Sequence, residues 1–471
     1  MAKKTKARAL KRAKPAGKGR ATAAPPPAPA AQPAGSADAS GGSVAGLRVR
    51  MFRVGFGDFF LLTVPAAAGE KHILIDCGVH AKDLGTMRDA VSQMAQACNL
   101  QLALIIVTHR HADHISGFGT CKDIFRKINV ERVWMSWFED PKNPEAKQLQ
   151  SSLTAMAAQV HLSLRARGSS PDDPLVSMAE NITGTMSAAG QAGNQEALAV
   201  IHGGFANTPA YTYYKAGDAP ALPPDLVAAG LAARILGPPI DPQLVSQMTN
   251  KNQQYLAAGA SSDDNKFRPF APQFKGAEGD YPARAFRYRH FNKIAELIDG
   301  IQPDTLAAKA AAADNTLNNQ SLVVLFSFRG KNLLFAGDAQ WGNWENFLYG
   351  GAYGTPGHTE PTKEAQDILG KIDFYKVGHH GSANASPMDA VGAMRLGCVG
   401  MCSTQPGAYN QVPRGPLLSA LGQRMNGQLA RSDQIFAVKG GDEDKAPTPD
   451  AGPLPAKFTV PTGELYVDYE F

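Results

Sequence analysis

The sequence predicts a layered α/β fold that starts near residue 47, after a disordered tail, and that contains one long insertion. Short apolar strands alternate with segments of helical spacing across the first half of the chain, and strand signals resume after residue 321. Between these halves, residues 139–313 are polar and glycine-rich, with scattered helical stretches. A structureless loop of this length is improbable inside a compact domain, so we expect a partly helical insertion within a main domain of residues 47–471.

Residues 1–46 form a basic tail followed by alanine, proline, glycine and serine, a composition that predicts disorder. The segment Met1–Arg20 contains nine Lys or Arg and no acid, so a net charge of +5 for the whole chain leaves −4 on the remainder. The tail is expected either to attach the protein to nucleic acid or an anionic surface, or to act only as a solubilising extension.

Composition also bears on location. No apolar run follows the basic start, as a secretory signal would require, and none reaches the 18 or so residues of a membrane helix. The five cysteines match no disulfide or zinc-finger framework, which favours a reducing compartment. We therefore expect a cytoplasmic protein without membrane insertion.

The elements of the first half follow from apolar runs and helical spacing. They are a hairpin over Leu47–Val64 that turns at Gly55 and Gly57, strands at Ile73–Cys77, Leu104–Val107 and Arg132–Trp137, and helices at Met87–Cys98 and Ile115–Ile128. In the insertion, Lys147–Val160 and Pro224–Ala233 have helical spacing. A basic and aromatic cluster around Arg287 (Arg284, Tyr288, Arg289 and His290 are its other members) is expected either to contact phosphates and bases or to form a solvated helix face.

The second half repeats this alternation. Its predicted elements are strands at Leu322–Phe328, Leu333–Ala336 and Val399–Ser403, and helices at Trp344–Tyr349, Lys363–Leu369, Pro387–Met394 and Leu417–Met425. The segment Glu464–Phe471 alternates polar and apolar residues and predicts a closing edge strand.

A cluster of potential metal ligands follows the strand Leu104–Val107. Within six residues the chain presents His109, His111, Asp113 and His114, although it has only 11 histidines in total. Neutral imidazole nitrogen and carboxylate oxygen suit Zn²⁺ and similar ions. A histidine-rich polar loop is the alternative, but the density of ligands favours a metal site.

This His-x-His-x-Asp-His motif resembles the signature of the metallo-β-lactamase superfamily, and further motifs follow in the family's order. His72–Gly78 resembles the strand that ends in the first aspartate, Asn332–Asp338 the strand of the bridging aspartate, and Lys376–Ser382 the strand of the last histidine. The hairpin Arg53–Asp58, the stretch Asn318–Val324 and the strand expected before it, Ala233–Pro239, are similar to the hydrolase domain of the DNA-uptake protein ComEC. The resemblance implies an αββα sandwich with a metal site at one edge.

The resemblance also implies roles for individual residues. His109 and His111 would bind one metal, Asp113, His114 and His380 a second, and Asp338 would bridge the two ions. His379 would face the substrate or support a ligand, with its role and that of His380 open to exchange. Asp76 would orient a ligand or the metal-bound water. Together with Asp113, His379 and Ser382 it forms the predicted catalytic group, while Asp58, Asn318, Asn319 and Arg287 are weaker candidates for substrate binding.

The chain departs from the family pattern at one position. Many members supply a further histidine for the first metal, but His161, His202 and His290 lie in no matching motif. His202 ends an apolar run and is the best candidate, with a solvated loop histidine as the alternative. We therefore expect one or two divalent ions, Zn²⁺ or Mn²⁺, and no organic cofactor.

The implied chemistry is hydrolysis by a metal-activated water. A phosphodiesterase or nuclease acting on DNA or RNA is the first expectation, because of the ComEC-like motifs and the basic tail. A hydrolase of a small lactone, thioester, β-lactam or phosphoester is the second, and a scaffold protein without activity is the third. An open positive groove would favour a polymer, and a closed pocket would favour a small substrate.

Overall fold

Two eight-stranded mixed sheets carry the fold, which confirms the predicted α/β class. The computed structural model describes residues 46–80, 82–166, 168, 194–255, 316–409, 412–434, 437–438 and 451–471. The basic tail and residues 256–315, which include Arg287 and its cluster, lie outside these residues, so the expectations for them stay predictions. Among the helices that the structure describes, none has the length and apolar character needed to cross a bilayer.

The first sheet has the strand order β15-β16-β1-β2-β3-β4-β5-β6. Its strands are β1 (Arg48–Phe52), β2 (Phe59–Ala66), β3 (Gly69–Cys77), β4 (Gln101–Val107), β5 (Asn129–Ser136), β6 (Ala210–Tyr214), β15 (Phe458–Thr459) and β16 (Tyr466–Glu470). β1, β2 and β3 pair antiparallel, whereas β3, β4, β5 and β6 run parallel. The parallel strands therefore bring their carboxyl ends to one edge of the sheet.

The second sheet has the order β14-β13-β12-β11-β10-β9-β8-β7. Its strands are β7 (Leu231–Gly237), β8 (Val323–Phe328), β9 (Lys331–Phe335), β10 (Phe374–Lys376), β11 (Val399–Cys402), β12 (Leu429–Arg431), β13 (Ala437–Val438) and β14 (Ala451–Gly452). Its centre, from β9 to β12, is parallel, and its two flanks are antiparallel. Both sheets thus contain a parallel section preceded by antiparallel strands.

The two sheets share one apolar core. Phe60 and Trp134 from the first sheet and Phe326 and Phe335 from the second are almost completely buried in a single cluster. The rings of Phe60 and Phe335 meet edge to face, with centroids 6.1 Å apart. Each such side chain contributes roughly 1.5–3 kcal/mol by leaving water, so this layer is a main source of stability.

Helices cover the outer faces of both sheets. The helices of the described residues are α1 (Met87–Ala97), α2 (Ala112–Thr120), α3 (Lys122–Phe125), α4 (Pro144–Ala166), α5 (Asn194–Ile201), α6 (Pro224–Ala228), α7 (Pro242–Val245), α8 (Trp341–Tyr349), α9 (Lys363–Leu369), α10 (Met388–Ala393) and α11 (Gly415–Arg424), and not all of them lie on an outer face. α1 buries Met87, Ala90, Val91 and Met94, the i, i+3, i+4, i+7 stripe expected of a helix on a core. α1, α2, α3 and α5 pack on the first sheet, and α8 to α11 pack on the second.

Two predicted helices and part of the predicted insertion differ from the structure. The helix predicted over Ile115–Ile128 is two helices, because the chain turns at Cys121. The helix predicted over Pro224–Ala233 ends at Ala228, since Gly230 adopts φ +93° and β7 begins at the next residue. The predicted insertion contributes β6 to the first sheet, which was not expected, and β7 to the second, which overlaps the strand expected at Ala233–Pro239.

The segment near residue 468 was expected to be an edge strand, and this prediction is wrong. β16 lies between β15 and β1. Alternation reports that one face of a strand is polar, but it does not report how many neighbours the strand has. Here the polar face is buried by an ion pair, because Asp468 accepts two hydrogen bonds from Arg50, at 2.7 and 2.8 Å.

Candidate metal centre

Several strand ends meet at one edge of the two sheets, and each delivers a polar side chain. β3 carries Asp76 next to its last residue, and β4 is followed by the segment 108–114. In the second sheet, β9 precedes Asp338 and β10 precedes His380. Ligand sites in α/β proteins form outside the carboxyl ends of parallel strands, and this edge has that geometry in both sheets.

Four of these side chains form a compact group of potential ligands. One atom each from Asp113, His114, Asp338 and His380 lies within 4.8 Å of the others. His114 Nε2 is 3.1 Å from Asp338 Oδ2, and His380 Nε2 is 3.0 Å from Asp113 Oδ2 and 3.4 Å from Asp338 Oδ2. The two imidazoles have no exposed surface. A buried group of two imidazoles and two carboxylates has the composition of a divalent metal site.

His109 and His111 lie beside this group. His109 Nε2 is 3.0 Å from His111 Nδ1, and the His109 ring is 4.1 Å from that of His114. Both residues are nearly fully buried. In the part of the chain that the structure describes, they do not join a group of three or more ligands. The structure thus places all six predicted ligands together, four of them tightly.

The outer nitrogens of the ligand histidines are held by buried acceptors. Asp76 accepts hydrogen bonds from Thr108 N (2.8 Å) and Thr108 Oγ1 (2.7 Å), and its Oδ2 lies 2.8 Å from His114 Nδ1. The carbonyl oxygen of Ser403 lies 2.9 Å from His380 Nδ1. Such contacts fix the tautomer with the proton on Nδ1 and direct Nε2 to the centre. Asp76 therefore holds the ring of His114 in place, and its expected role toward a metal or a metal-bound water stays a prediction.

Lys376 is a further residue of the centre that the sequence motifs did not assign to it. This last residue of β10 is 2% exposed, forms a buried ion pair with Asp58, and lies 3.5 Å from Asp338 Oδ1. Burial lowers the pKa of Lys376, but Asp58 and Asp338 outweigh burial and raise it above its usual value. A lysine that ends an otherwise apolar strand just before the histidine motif was the available signal.

Asp58 and the asparagine pair do not take the substrate-facing positions expected of them. Asp58 is 1% exposed and lies beneath the ligands, so it has no surface to offer a substrate. Asn318 and Asn319 are also buried, and Asn319 donates to the carbonyl oxygens of Val245 (3.0 Å) and Gln247 (2.7 Å). Asn319 instead braces the loops around the centre, because it also accepts a hydrogen bond from Gln340 N at 3.0 Å. His202, at the end of α5, contacts the ring of Tyr211. Among the described residues it belongs to no group of three or more potential metal ligands.

His379 and Ser382 lie at the mouth of the centre. The side chain of His379 is 23% exposed, and its Nε2 is 3.9 Å from Asp338 Oδ2. Asn384 Oδ1 is 3.3 Å from His379 Nδ1 and accepts a hydrogen bond from Ser382 Oγ at 3.0 Å. His379 and His380 both adopt positive φ, 44° and 53°, so the backbone turns one imidazole inward and the other outward. Of the two, His380 is the one within the ligand group.

The loop between β1 and β2, the residue after β3 and the start of α2 approach closely enough to exclude side chains. A Cβ atom on Gly78 would overlap backbone atoms of Asp113 and His114, and one on Gly57 would overlap the carbonyl of Gly78. Asp58 N donates to the carbonyl of Asp113 at 2.8 Å. This contact fixes the first turn of α2 and hence the position of two ligands.

Negative charge dominates the inner part of the centre. Burial lowers the pKa of His114, but Asp338 and other nearby carboxylates outweigh burial and hold it well above its usual value. The same balance raises the pKa of His380 to about 10. By contrast, burial and two neighbouring imidazoles hold the pKa of His109 well below its usual value. Carboxylates that overcome the burial of imidazolium in this way favour a bound cation.

The donor set fits a divalent ion, and among the described residues the buried histidines and aspartates that could hold one cluster at this edge. Comparison of the chain with protein-family models and with curated proteins gives no match. The assignment of a function therefore rests on the geometry of this centre and on the sequence motifs.

Proposed function

We propose that the protein is a metal-dependent hydrolase with a metallo-β-lactamase-type sandwich, and that it acts as a phosphodiesterase on nucleic acid. The observation that carries the proposal is the buried group of Asp113, His114, Asp338 and His380, with His109 and His111 at its side. The αββα layering supports the kinship, because two sheets share a core between outer helices.

A divalent ion held by this group would supply one kind of chemistry, since it lowers the pKa of a bound water from 15.7 to about 7. The residues of the chain supply the rest. Asp76 and the carbonyl of Ser403 keep both imidazoles oriented, and the partly exposed His379 is positioned to donate a proton to a leaving group. Asn384 orients His379 and Ser382 toward that role.

Two features favour nucleic acid as the substrate. The motifs 53–58 and 318–324 resemble those of the ComEC hydrolase domain, and the nine cations of Met1–Arg20 would concentrate a polyanion near the centre. The remainder of the chain is acidic and would repel nucleic acid, so the basic tail would provide most of the attraction to the polyanion.

A second candidate function, hydrolysis of a small substrate, is favoured by a cavity of about 760 Å³. Its wall includes Trp137, Leu149, Leu153 and Ile240, and its acidic side chains are Glu145 and Asp241. Val245, also on this wall, is hydrogen-bonded to Asn319 close to the centre. An apolar cavity with acidic side chains suits an apolar or cationic group better than a phosphate backbone.

The test is hydrolysis of bis-p-nitrophenyl phosphate and of single- and double-stranded DNA by the full chain, with Mn²⁺ or Zn²⁺ added. An Asp113→Ala/His114→Ala variant should lose the activity. A His358→Ala variant, altered at a solvent-facing loop, should keep it. Absence of cleavage by a protein that binds metal would overturn the phosphodiesterase proposal. Turnover of lactones, thioesters or β-lactams would then support the second candidate.

A further inference from the structure

We propose that Arg110 and Glu139 are a positioning pair for the centre. Their buried ion pair holds the segment between β4 and α2 in the conformation that turns the rings of His109 and His111 toward the ligand group. The inference rests on the proposed metal-dependent function and adds to it two residues that the sequence motifs do not assign. Both residues act through the backbone of this segment rather than on a substrate.

The pair joins the ends of two neighbouring strands. Arg110 follows β4 and Glu139 follows β5, and these strands run parallel, with Val107 aligned to Met135. Arg110 Nε is 2.8 Å from Glu139 Oε1, and Arg110 Nη2 is 2.6 Å from Glu139 Oε2. Two parallel hydrogen bonds between a guanidinium and a carboxylate fix orientation as well as distance. The side chain of Arg110 therefore has one preferred direction.

Further contacts hold Arg110 by its side chain and by its main chain. Its guanidinium carbon lies 4.9 Å from the centroid of the Phe138 ring, and Asn194 Nδ2 donates to the carbonyl oxygen of Arg110 at 3.1 Å. The exposed fraction is 15% for the side chain of Arg110 and 4% for that of Glu139, so water competes little for their hydrogen bonds. Arg110 is thus held both by the short 3₁₀ turn Trp137–Glu139 and by the start of α5.

The place of Arg110 in the sequence connects this hold to the ligands. In an extended chain the side chains of residues i and i+2 point to one side, and that of residue i+1 points to the other. His109 Nε2 lies 3.0 Å from His111 Nδ1, while Arg110 reaches to Glu139. His111 itself has extended backbone dihedrals, φ −65° and ψ 151°. A rotation of the backbone at Arg110 would therefore move both imidazoles together.

The energetics of buried ion pairs also favour a positioning role. The desolvation of two charges can exceed their attraction, and apolar replacements of similar volume are often neutral or stabilising. A guanidinium bonded through two nitrogens provides a fixed orientation, which a contact between two aliphatic side chains does not. We therefore expect the stability of the fold and the geometry of the centre to respond differently when the pair is replaced.

The test compares two double variants of the full chain, each of which replaces a buried arginine–carboxylate pair by apolar side chains. Arg110→Met/Glu139→Leu removes the positioning pair. Arg50→Met/Asp468→Leu is the matched control, because Arg50 also bonds its partner through two nitrogens, at 2.7 and 2.8 Å. The control side chains are 8% and 9% exposed, and their pairing joins β1 to β16.

Three measurements follow: thermal melting of the chelator-treated protein, calorimetric titration with Zn²⁺, and the visible absorption spectrum with Co²⁺, whose bands depend on ligand geometry. We expect Arg110→Met/Glu139→Leu to melt close to the unaltered protein. It should bind Zn²⁺ about 10–100-fold more weakly, as after loss of a residue that supports a ligand, and its Co²⁺ bands should change. The control should keep both the affinity and the spectrum.

An unchanged Zn²⁺ affinity or an unchanged Co²⁺ spectrum in Arg110→Met/Glu139→Leu would overturn the inference. Equal changes in the control would also overturn it, because the effect would then follow the loss of any buried pair. If the double variant does not fold, Arg110→Lys carries the same expectation, since lysine keeps the charge but lacks the planar group that makes the two-point contact.

These outcomes separate the inference from the proposed function. A changed Co²⁺ spectrum in the variant of a protein that cleaves no phosphodiester would leave the role of Arg110 and Glu139 standing and overturn the phosphodiesterase. Cleavage by the unaltered protein, with an unchanged spectrum in the variant, would do the reverse.

Discussion

At the residue scale, the centre contrasts two adjacent histidines, of which the sequence motif assigned His380 to a metal and left an exchange with His379 open. His380 is buried among the carboxylates, whereas the side chain of His379 is 23% exposed and points to Asn384. Both histidines have a positive φ, which is unfavourable for residues other than glycine. The surrounding structure must therefore hold the backbone in this conformation.

This contrast predicts different effects of removing each ring. His380→Ala should weaken metal affinity by more than the roughly 10–100-fold that follows loss of an outer partner, because it removes a ligand. His379→Ala should keep the metal and lower kcat, because it removes a group that faces substrate. Calorimetric titration with Zn²⁺ and steady-state kinetics check the pair. Loss of metal from His379→Ala with retention in His380→Ala would reverse the two assignments.

The raised pKa values of His114 and His380 predict how the centre responds to pH. Since the folded-state pKa of His380 is about 10, its imidazole is protonated at pH 7 without metal. Metal ions bind neutral imidazole, so binding should release protons, and affinity should rise by about tenfold per pH unit for each proton released. The folding stability of the metal-free protein should instead fall as pH rises. The stability that a raised histidine pKa contributes is present at low pH and is lost as pH rises toward 10.

Metal titrations between pH 6 and 8, in buffers of different ionisation enthalpy, measure the released protons. Denaturant unfolding of the chelator-treated protein between pH 7 and 10 measures the second effect. A metal affinity that does not change with pH would show that these imidazoles are already neutral.

At the scale of elements, the position of Asp113 and His114 depends on how closely the chain after β3 approaches α2. Gly78→Ala would place a methyl group against the backbone of Asp113 and His114. We expect the free energy of unfolding to fall by about 1–3 kcal/mol, the usual cost of overpacking, and metal affinity to fall with it. Gly203→Ala is the control, since a Cβ atom there meets open space. Urea denaturation and metal titration of both variants test this, and equal stability for the two would contradict it.

The elements show what local sequence determines and what it leaves out. The helix Lys363–Leu369 was predicted at its observed limits, because its apolar spacing and its Thr362 cap are local signals. The motif 108–114 likewise carries its chemistry within a few residues. Lys376, by contrast, forms a buried ion pair with Asp58, which precedes it by more than 300 residues. No local sequence pattern predicts a pairing over that distance.

At the scale of the whole molecule, a buried ion pair joins two neighbouring strands of the first sheet that are 418 residues apart in sequence. The Arg50 guanidinium bonds Asp468 through two nitrogens and stacks 3.5 Å from the ring centroid of Tyr466. Asp468→Ala would leave an unpaired buried cation, so we expect a loss of about 3–5 kcal/mol in stability. Arg50→Met/Asp468→Leu should recover much of this loss, because it leaves no unpaired charge.

Urea denaturation of the single and double variants checks this prediction. A double variant as unstable as Asp468→Ala would mean that packing, not the unpaired charge, causes the loss. The sequence predicted a strand near residue 468 but gave no sign of its partner, since alternation is a local property and pairing across the chain is not.

The pairing of β16 with β1 also has a consequence for the synthesis of the protein on the ribosome. Residues 48–52 are translated early, yet the strand that covers their outer side is translated more than 400 residues later. During that interval the nascent chain presents an open strand edge, a template for pairing with a neighbouring chain. We therefore expect the protein to aggregate most readily while it is being synthesised. The yield of folded protein should depend on chaperones that shield β1 until translation reaches residue 470.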